Sequence, residues 1–199
     1  MPAANDSTTE ALWFDVLTPR NFTDLERLLG PDGGDRGCWC RWWRHEPDEY
    51  DALTPQQRQR ASAQSAGSTM SGVLAYDAAD PVGWCAIGPG SESLPRRGGS
   101  RAWAPIDDRD VWSITCFFVS QGERGHGVAR FLLRSAIDTA VRAGAQVIEA
   151  YPRDTRGDVL PDRSMYFGSL GMFLDAGFTE VARKMDAFPV VRLQVAARP

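Results

Sequence analysis

Long apolar runs are missing from this sequence of 199 residues. A helix needs roughly 20 consecutive apolar residues to cross a bilayer, and the longest runs here are far shorter, so no membrane span is predicted. A positively charged start followed by an apolar block is also missing. We therefore expect no signal peptide and take a cytoplasmic location as the default.

Cysteine and net positive charge are scarce as well. The four cysteines, Cys38, Cys40, Cys85 and Cys116, are too few and too irregularly spaced for a disulfide framework, and we expect them to be reduced. Proteins that bind nucleic acid need a basic face, whereas the formal net charge here is −4. We expect neither a nucleic acid nor a membrane as a partner, and the charge balance mildly favours a cationic ligand.

The apolar content is that of one globular domain. Apolar residues make up 43% and charged residues 24% of the chain, and its length suits a single domain with a full core. Residues 1–12 are polar and small for the most part, which predicts a flexible N-terminal tail. Residues 13–199 are expected to form the domain.

Hydrophobic periodicity and turn residues predict alternating helices and strands. Helices are expected from Thr18 to Gly30, from Thr54 towards Gly67, from Ala129 to Gly144 and from Leu170 to Ala176. Strands are expected at 72–76 and 82–87, which form a hairpin, and at 111–119, 146–150, 178–183 and 190–195. This order predicts an α/β fold in which helices flank a mixed central β-sheet.

The turn between the strand at 111–119 and the following helix carries the clearest functional signal. Residues 124–129 read Arg-Gly-His-Gly-Val-Ala, and the two glycines and the small alanine let the backbone turn tightly and expose successive N–H groups. Because a helix begins there, its unpaired amides and positive dipole end point at the turn, which suits a phosphate. Arg124 can add a charge-assisted contact.

Other phosphate-binding loops fit this turn less well. A Walker A loop would need Gly-Lys-Ser/Thr at the start of the helix, and a dinucleotide-binding loop would need a third glycine and an early βαβ unit. Neither pattern is present. On glycine spacing alone, a plain connection between strand and helix stays open as the alternative.

The surrounding chain resembles the GNAT acetyltransferases. A strand ending at Val119, then Arg-x-x-Gly-x-Ala, then a helix carrying Leu132 and Leu133, is similar to the pyrophosphate-binding motif of that family. Ala-Gly-Phe at 176–178 is similar to the family's junction between its last helix and the following strand. The resemblance extends from Val16 to Val195.

This resemblance implies a single-domain GNAT fold, with acetyl-CoA as the co-substrate and no metal. The family's pyrophosphate contacts would come from Arg124, Gly125, His126, Gly127, Val128 and Ala129. The backbone groups that pair with the pantetheine arm would come from Phe117, Phe118 and Val119. The resemblance also implies that a free amine attacks the thioester directly and that a backbone N–H stabilises the developing oxyanion.

The catalytic acid departs from the family's pattern. Many members carry a tyrosine five residues before the phenylalanine of Gly-Phe, and that position here is Phe173, which cannot donate a proton. Tyr166 is the predicted substitute, with Tyr151 or a water molecule as alternatives. The base for the amine proton is predicted at Glu149, on the strand after the motif helix, or at Asp110, at the start of the central strand.

The segment 38–45, Cys-Trp-Cys-Arg-Trp-Trp-Arg-His, is unusual for its density of tryptophan. In GNAT folds the region between the first two helices lines the acceptor site, so Trp39, Trp42 and Trp43 are predicted to bind substrate, with cation–π attraction for an ammonium group. Aromatic packing of a loop onto the sheet is the alternative.

Cys-x-Cys is not a common zinc spacing and no second pair follows it, so no metal is expected. Cys116 could form an acetyl-enzyme, although a buried structural cysteine is the commoner case.

The predicted function is transfer of an acetyl group from acetyl-CoA to a primary amine of a small molecule. Acetylation of a protein, at a lysine or at the N-terminus, and acyl-CoA sensing without catalysis stay open as alternatives. A homodimer could form if a second copy paired with the strand at 190–195.

The double variant with Arg124→Ala and Gly127→Val should bind acetyl-CoA more weakly than the wild type, because it loses a cation and a glycine from a tight turn. Calorimetric titration of the purified protein is the measurement, with dephosphorylated CoA fragments as controls. Micromolar binding that weakens in the variant is expected. A wild-type protein that does not bind acetyl-CoA would mean that the turn only connects two elements.

Overall fold

The computed structural model describes residues 12–93, 99–158, 161 and 165–195. Most of the predicted N-terminal tail, residues 1–11, lies outside the described residues, whereas Leu12 begins a strand. The strands are β1 (Leu12–Val16), β2 (Gly72–Asp77), β3 (Asp80–Pro89), β4 (Trp112–Val119), β5 (Val147–Ala150), β6 (Thr179–Met185) and β7 (Phe188–Gln194). The α-helices are α1 (Phe22–Leu29), α2 (Pro47–Ala52), α3 (Pro55–Ser65), α4 (Val128–Arg142) and α5 (Leu170–Asp175).

The strands form one seven-stranded sheet in the order β1-β2-β3-β4-β5-β7-β6. Neighbouring strands are antiparallel except β4 and β5, which are parallel, so the prediction of a mixed sheet is confirmed. β7 lies between β5 and β6, and both of its edges are paired. The prediction that a second copy pairs with this strand is therefore wrong, because no edge is left to accept it.

Local sequence signals place most of the helices where they were expected. The Thr54 hydroxyl accepts from the Gln57 N–H at 3.2 Å, and the Gln57 side chain accepts from the Thr54 N–H at 2.8 Å, so the capping box at the start of α3 is confirmed. The first helix begins at Phe22 rather than at Thr18, since Asn21 is its N-cap and accepts from the Thr18 N–H. Neither β1 nor α2 was predicted.

Apolar side chains fill both faces of the sheet. α4 packs its buried stripe, which includes Leu132, Leu133 and Ala136, on one face, while α1 covers the other with Leu25 and neighbours. Gly83 on β3 lets α4 approach closely, because a Cβ there would lie 2.8 Å from Leu132 Cδ1 and from Val128 Cγ1. The start of α4 is thereby held against the centre of the sheet.

The central strand separates from its parallel neighbour part-way along its length. β5 has four residues and pairs with β4 only where Trp112 to Ile114 face Ile148 to Ala150. β4 continues to Val119, and the N–H of Phe117 on this far part donates to the C=O of Tyr166 at 2.6 Å. A cleft therefore opens between the end of β4 and the chain around Tyr166. Among the described residues, no helix has the length and apolar character needed to cross a membrane.

Leu132→Ala should lower the free energy of unfolding by about 2–5 kcal/mol, because this fully buried side chain fills the contact between α4 and β3. Arg134→Ala, on the exposed face of the same helix, should change it by less than about 0.5 kcal/mol. Urea unfolding followed by circular dichroism measures both. Similar losses in the two variants would contradict the packing described for α4.

Candidate active site

The N-terminus of α4 has the features of an anion site. Gly127 is its N-cap at φ 86°, and Gly125 has φ 80°, so both adopt the left-handed conformation that glycine tolerates best. Among the described residues, no side chain caps this end of the helix, and its first turn carries no acidic residue. The first amides of α4 are thus left to bind an anion, which the helix dipole favours.

A cleft of about 400 Å³ leads from this helix end along the far part of β4. Arg124 lines this cleft, and its Nε donates to the C=O of Val119 at 3.0 Å. Eight of the nine predicted cofactor-binding residues line the cleft: Phe117, Phe118, Val119, Arg124, Gly125, Gly127, Val128 and Ala129. His126 does not line it, since its side chain is exposed at the top of the turn.

Backbone groups of β4 have unequal access to this cleft. The Phe117 N–H, one of the predicted partners for a pantetheine arm, already donates to Tyr166. Alternate amides of a strand point to the same side, so the Val119 N–H also faces the cleft. Val119 is therefore better placed than Phe117 to bind a ligand through its main chain.

A second cavity of about 620 Å³ lies on the opposite side of Tyr166 and Phe118. Its wall is rich in aromatic side chains: Trp42, Trp43, Tyr50, Phe118, Tyr166, Phe167 and Phe188. Asp35, Arg36 and Asp51 line its exposed lip, and Arg58 and Arg153 lie deeper. This is the cavity to which the tryptophan-rich segment contributes.

Of the three tryptophans predicted to bind substrate, Trp42 and Trp43 line the second cavity and Trp39 does not. The Trp39 backbone has φ 49°, and its indole lies directly against Gly33, where a Cβ would be 2.2 Å from the indole Nε1. Only 4% of Trp39 is exposed, so it belongs to the core that α1 covers. Its role in the structure is packing.

Tyr166 and Phe118 line both cavities, so they form the wall where the two meet. Their rings are stacked, with centroids 6.5 Å apart and an interplanar angle of 11°. Burial raises the pKa of the Tyr166 phenol, and the negative charge of Asp35 raises it further. The phenol therefore stays protonated at neutral pH and can donate a proton.

Phe173 lies in the core and not at this wall. It is fully buried and packs against Phe117 and Phe178, with ring centroids 6.0 and 5.1 Å away. A hydroxyl at this position would enter an apolar cluster. Tyr166 thus provides a phenol at the junction of the cavities, while the position that carries the family's usual tyrosine is used for packing.

Glu149 lies in a buried ionic cluster and lines neither cavity. Its carboxylate accepts from Arg192 Nε at 2.8 Å and from the Tyr151 hydroxyl at 2.7 Å, and only 1% of the residue is exposed. Arg192 also pairs with Asp107, at 2.6 Å. The structure therefore does not bring Glu149 to either cavity, and its carboxylate is paired inside the fold. Tyr151, the alternative acid, is held in the same cluster.

Asp110, the other predicted base, is exposed just before β4 begins. The cavities lie at the opposite end of β4, around Phe117 to Val119, and Asp110 lines neither of them. The length of the strand separates this carboxylate from the site.

Cys38, Cys40 and Cys116, which line the second cavity, are free thiols. The pKa of Cys40 is lowered because the Cys116 thiol donates a hydrogen bond to it, and the same bond, together with burial, raises the pKa of Cys116. Trp84 Nε1 also donates to Cys40 Sγ, at 3.0 Å. Cys116 therefore acts as a hydrogen-bond donor, which does not suit the acetyl-enzyme alternative. Within the described ranges, no three His, Cys, Asp or Glu side chains are grouped as a metal site would need.

The family model for the acetyltransferase (GNAT) family matches residues 36–171, which include the tryptophan-rich segment, β4, the glycine turn and Tyr166. The chain belongs to the GNAT acetyltransferase family. None of the curated proteins matches it significantly. Acetyl-CoA is the acyl donor of this family of enzymes.

Solved structures of other GNAT proteins share the fold at low sequence identity. An acetyltransferase of this family from Desulfovibrio desulfuricans is 18% identical, with a TM-score of 0.54, and the match covers 94% of this chain and 100% of that one. A Salmonella typhimurium acetyltransferase solved with acetyl-CoA is 14% identical, with a TM-score of 0.55 and coverages of 94% and 96%. A Corynebacterium glutamicum protein described as histone acetyltransferase HPA2 and related acetyltransferase is 17% identical, with a TM-score of 0.56 and coverages of 94% and 97%.

Several residues of the second cavity were not predicted to belong to a site. Asp35, Tyr50, Arg153, Phe167 and Phe188 come from five separate stretches of the chain. No local motif marks any of them, because they meet only once the sheet order is known. Arg153 is the least expected, since it follows β5 without a recognisable pattern.

Glu149→Gln should lower the free energy of unfolding by about 3 kcal/mol, because it leaves part of the Arg192 charge uncompensated in a buried site. Acetyl transfer by the folded variant should fall less than about tenfold, since Glu149 is not placed as a base. Thermal unfolding and steady-state kinetics at low temperature measure the two effects. Asp110→Asn is the control at an exposed position, and it should change neither the free energy of unfolding nor the rate of acetyl transfer. A loss of about a thousandfold in rate with unchanged stability would instead assign Glu149 as the base.

Proposed function

We propose that the protein transfers the acetyl group of acetyl-CoA to the primary amine of a small molecule by direct attack in a ternary complex. The observation that carries this proposal is the meeting of two cavities at Phe118 and Tyr166, one ending at the α4 N-terminus and one lined by aromatic side chains. Two substrates bound in cavities that meet at these residues can react with each other directly, so no covalent enzyme intermediate is needed.

The first cavity fits the donor. Amides at the start of α4 bind the pyrophosphate, and Arg124 adds a cation that Val119 holds in position. Arg130 also lines the cleft, although it is paired with Asp175 at 2.7 Å. Glu123 is the acidic member of the lining and lies in the short turn before Arg124. The left-handed glycines at 125 and 127 leave the approach to the amides open.

Tyr166 is proposed as the acid for the leaving group. As the new N–C bond forms and the C–S bond breaks, its phenol gives a proton to the departing sulfur and is reprotonated from solvent. The acceptor attacks as the neutral amine, after its ammonium form has lost one proton to solvent, and the nitrogen gives its second proton to water as the N–C bond forms. The Val119 N–H, which faces the same cleft, is proposed as the donor that stabilises negative charge on the thioester oxygen. Glu149 and Asp110 have no part in this step.

The second cavity fits a small acceptor. Trp42, Trp43, Phe167 and Phe188 form a continuous aromatic wall, with ring centroids 5.1 to 6.1 Å apart between neighbours. Such faces attract an organic ammonium group, and Asp35 and Asp51 at the lip add negative charge where it enters. Protein acetylation is the rival function, and its test is whether peptides are acetylated faster than small amines.

Tyr166→Phe should lower kcat by about 100-fold, because it removes the proposed acid and keeps the ring that stacks on Phe118. The Kd of acetyl-CoA should stay the same, since the donor is bound by main-chain groups and Arg124. Release of the CoA thiol, followed with a panel of primary amines and of lysine peptides, measures the rate.

Tyr50→Phe is the matched control, since it also deletes a phenolic hydroxyl but lines only the second cavity. Its kcat should fall less than about threefold. Equal losses in the two variants would contradict the role of Tyr166. A wild-type protein that binds acetyl-CoA but acetylates only peptides would contradict the small-molecule acceptor, and one that acetylates nothing would favour a sensor.

A further inference from the structure

Arg153 lies in the wall of the second cavity, just beyond the end of β5. Its N–H donates to the C=O of Gly168 at 2.8 Å, and its C=O accepts from the N–H of Leu170 at 2.9 Å. β5 pairs with β7 so that Ala150 faces Val191, and the same register continued by three residues places Arg153 opposite Phe188. The main chain therefore fixes the base of this side chain.

The charged end of Arg153 has no hydrogen-bond acceptor among the described residues. Its guanidinium lies over the Phe188 ring, 4.5 Å from the centroid, and its Nε is buried without a partner. The adjacent carboxylate, Asp154, is bound to Arg183 at 2.6 Å. The aromatic face supports the cation but accepts no hydrogen bond in the plane of the guanidinium.

Other arginines of the interior are matched with acceptors. Arg44 pairs with Glu92 at 2.9 Å, and Arg192 pairs with two carboxylates. Arg58, which lines the same cavity, donates through both terminal nitrogens to the carbonyls of Gly37 and Tyr50, and only its Nε is without a partner. Arg153 thus combines a cavity position with donors that the described fold does not use.

We propose that the acceptor is an amine that also carries a carboxylate, as amino acids do, and that Arg153 binds this carboxylate. A guanidinium presents a planar pair of donors that matches the two oxygens of a carboxylate. The amine must reach the wall at Phe118 and Tyr166, so different parts of one cavity hold the two groups of the acceptor. This inference rests on the proposed acetyl transfer and narrows its substrate class.

The test compares amino acids with the amines that lack their carboxylate. Phenylalanine is paired with phenethylamine and leucine with isoamylamine, and acetyl transfer is followed by CoA thiol release for the wild type, Arg153→Met and Arg153→Lys. The wild type should have the lower KM for the amino acid of each pair. Arg153→Met should raise that KM by about 10- to 100-fold, with kcat less affected, because a charge-assisted bidentate contact is lost. The KM of Arg153→Lys for the amino acid should lie between the values of the wild type and of Arg153→Met.

The decarboxylated amines provide the internal control. Their KM should change by less than about threefold in Arg153→Met, and Arg134→Met, on the exposed face of α4, should leave all values unchanged. A rise in KM of the same size for both members of a pair, or a wild type that prefers the decarboxylated amines, would overturn the inference while acetyl transfer stands.

If no amine is acetylated, tryptophan fluorescence with phenylalanine and CoA separates the two proposals. Quenching in the wild type that Arg153→Met loses would support the carboxylate site without catalysis, and no quenching would overturn it.

Discussion

The divergence of β4 from β5 is the constraint on which both cavities depend. β5 is short and pairs with only the first part of β4, so the far part of the central strand has one free side within the sheet. The chain around Tyr166 lies beside this free side, and the Tyr166 C=O accepts a hydrogen bond from the Phe117 N–H. One surface of that chain faces the α4 N-terminus and the other faces the aromatic cavity. A longer β5 would pair with the far part of β4 and close this gap.

The candidate site combines a helix N-terminus that suits an anion with an aromatic cavity, and each part is positioned by packing elsewhere. Gly83 lets α4 approach β3, which sets where the helix begins. The buried cluster of Glu149, Arg192 and Asp107 ties β5 and β7 to the loop before β4. Tyr151 connects this cluster to Trp43, on which its ring is stacked at 5.1 Å. Glu149 is thus connected to the second cavity through Tyr151 and Trp43, although it does not line that cavity.

Local patterns allowed the residues that line the first cavity to be predicted, and only some of those that line the second. The glycine turn and the stripe of α4 are encoded within a few consecutive residues, so their geometry follows from backbone and helix physics. The acceptor cavity depends on β7 lying beside β5, a pairing between distant segments that periodicity cannot reveal. Glu149 was predicted as a base because it lies on the strand that follows the motif helix. Arg192, which pairs with its carboxylate, is 43 residues away in sequence, so no local pattern indicated the pairing. Trp39 could not be distinguished from its neighbours by local sequence either. It packs in the core, whereas Trp42 and Trp43 in the same short segment line the second cavity.

The bond between the Phe117 N–H and the Tyr166 C=O has a consequence for how such a site can diversify. It holds the shared wall through main-chain atoms, which every residue at position 166 would supply. The identity of the side chain there is consequently separable from the shape of the wall. A different side chain at position 166 would leave this main-chain bond, and with it the shape of the wall, in place. The main chain therefore fixes where the residue at position 166 stands, and the identity of that residue alone decides which chemical group it presents at the junction of the cavities.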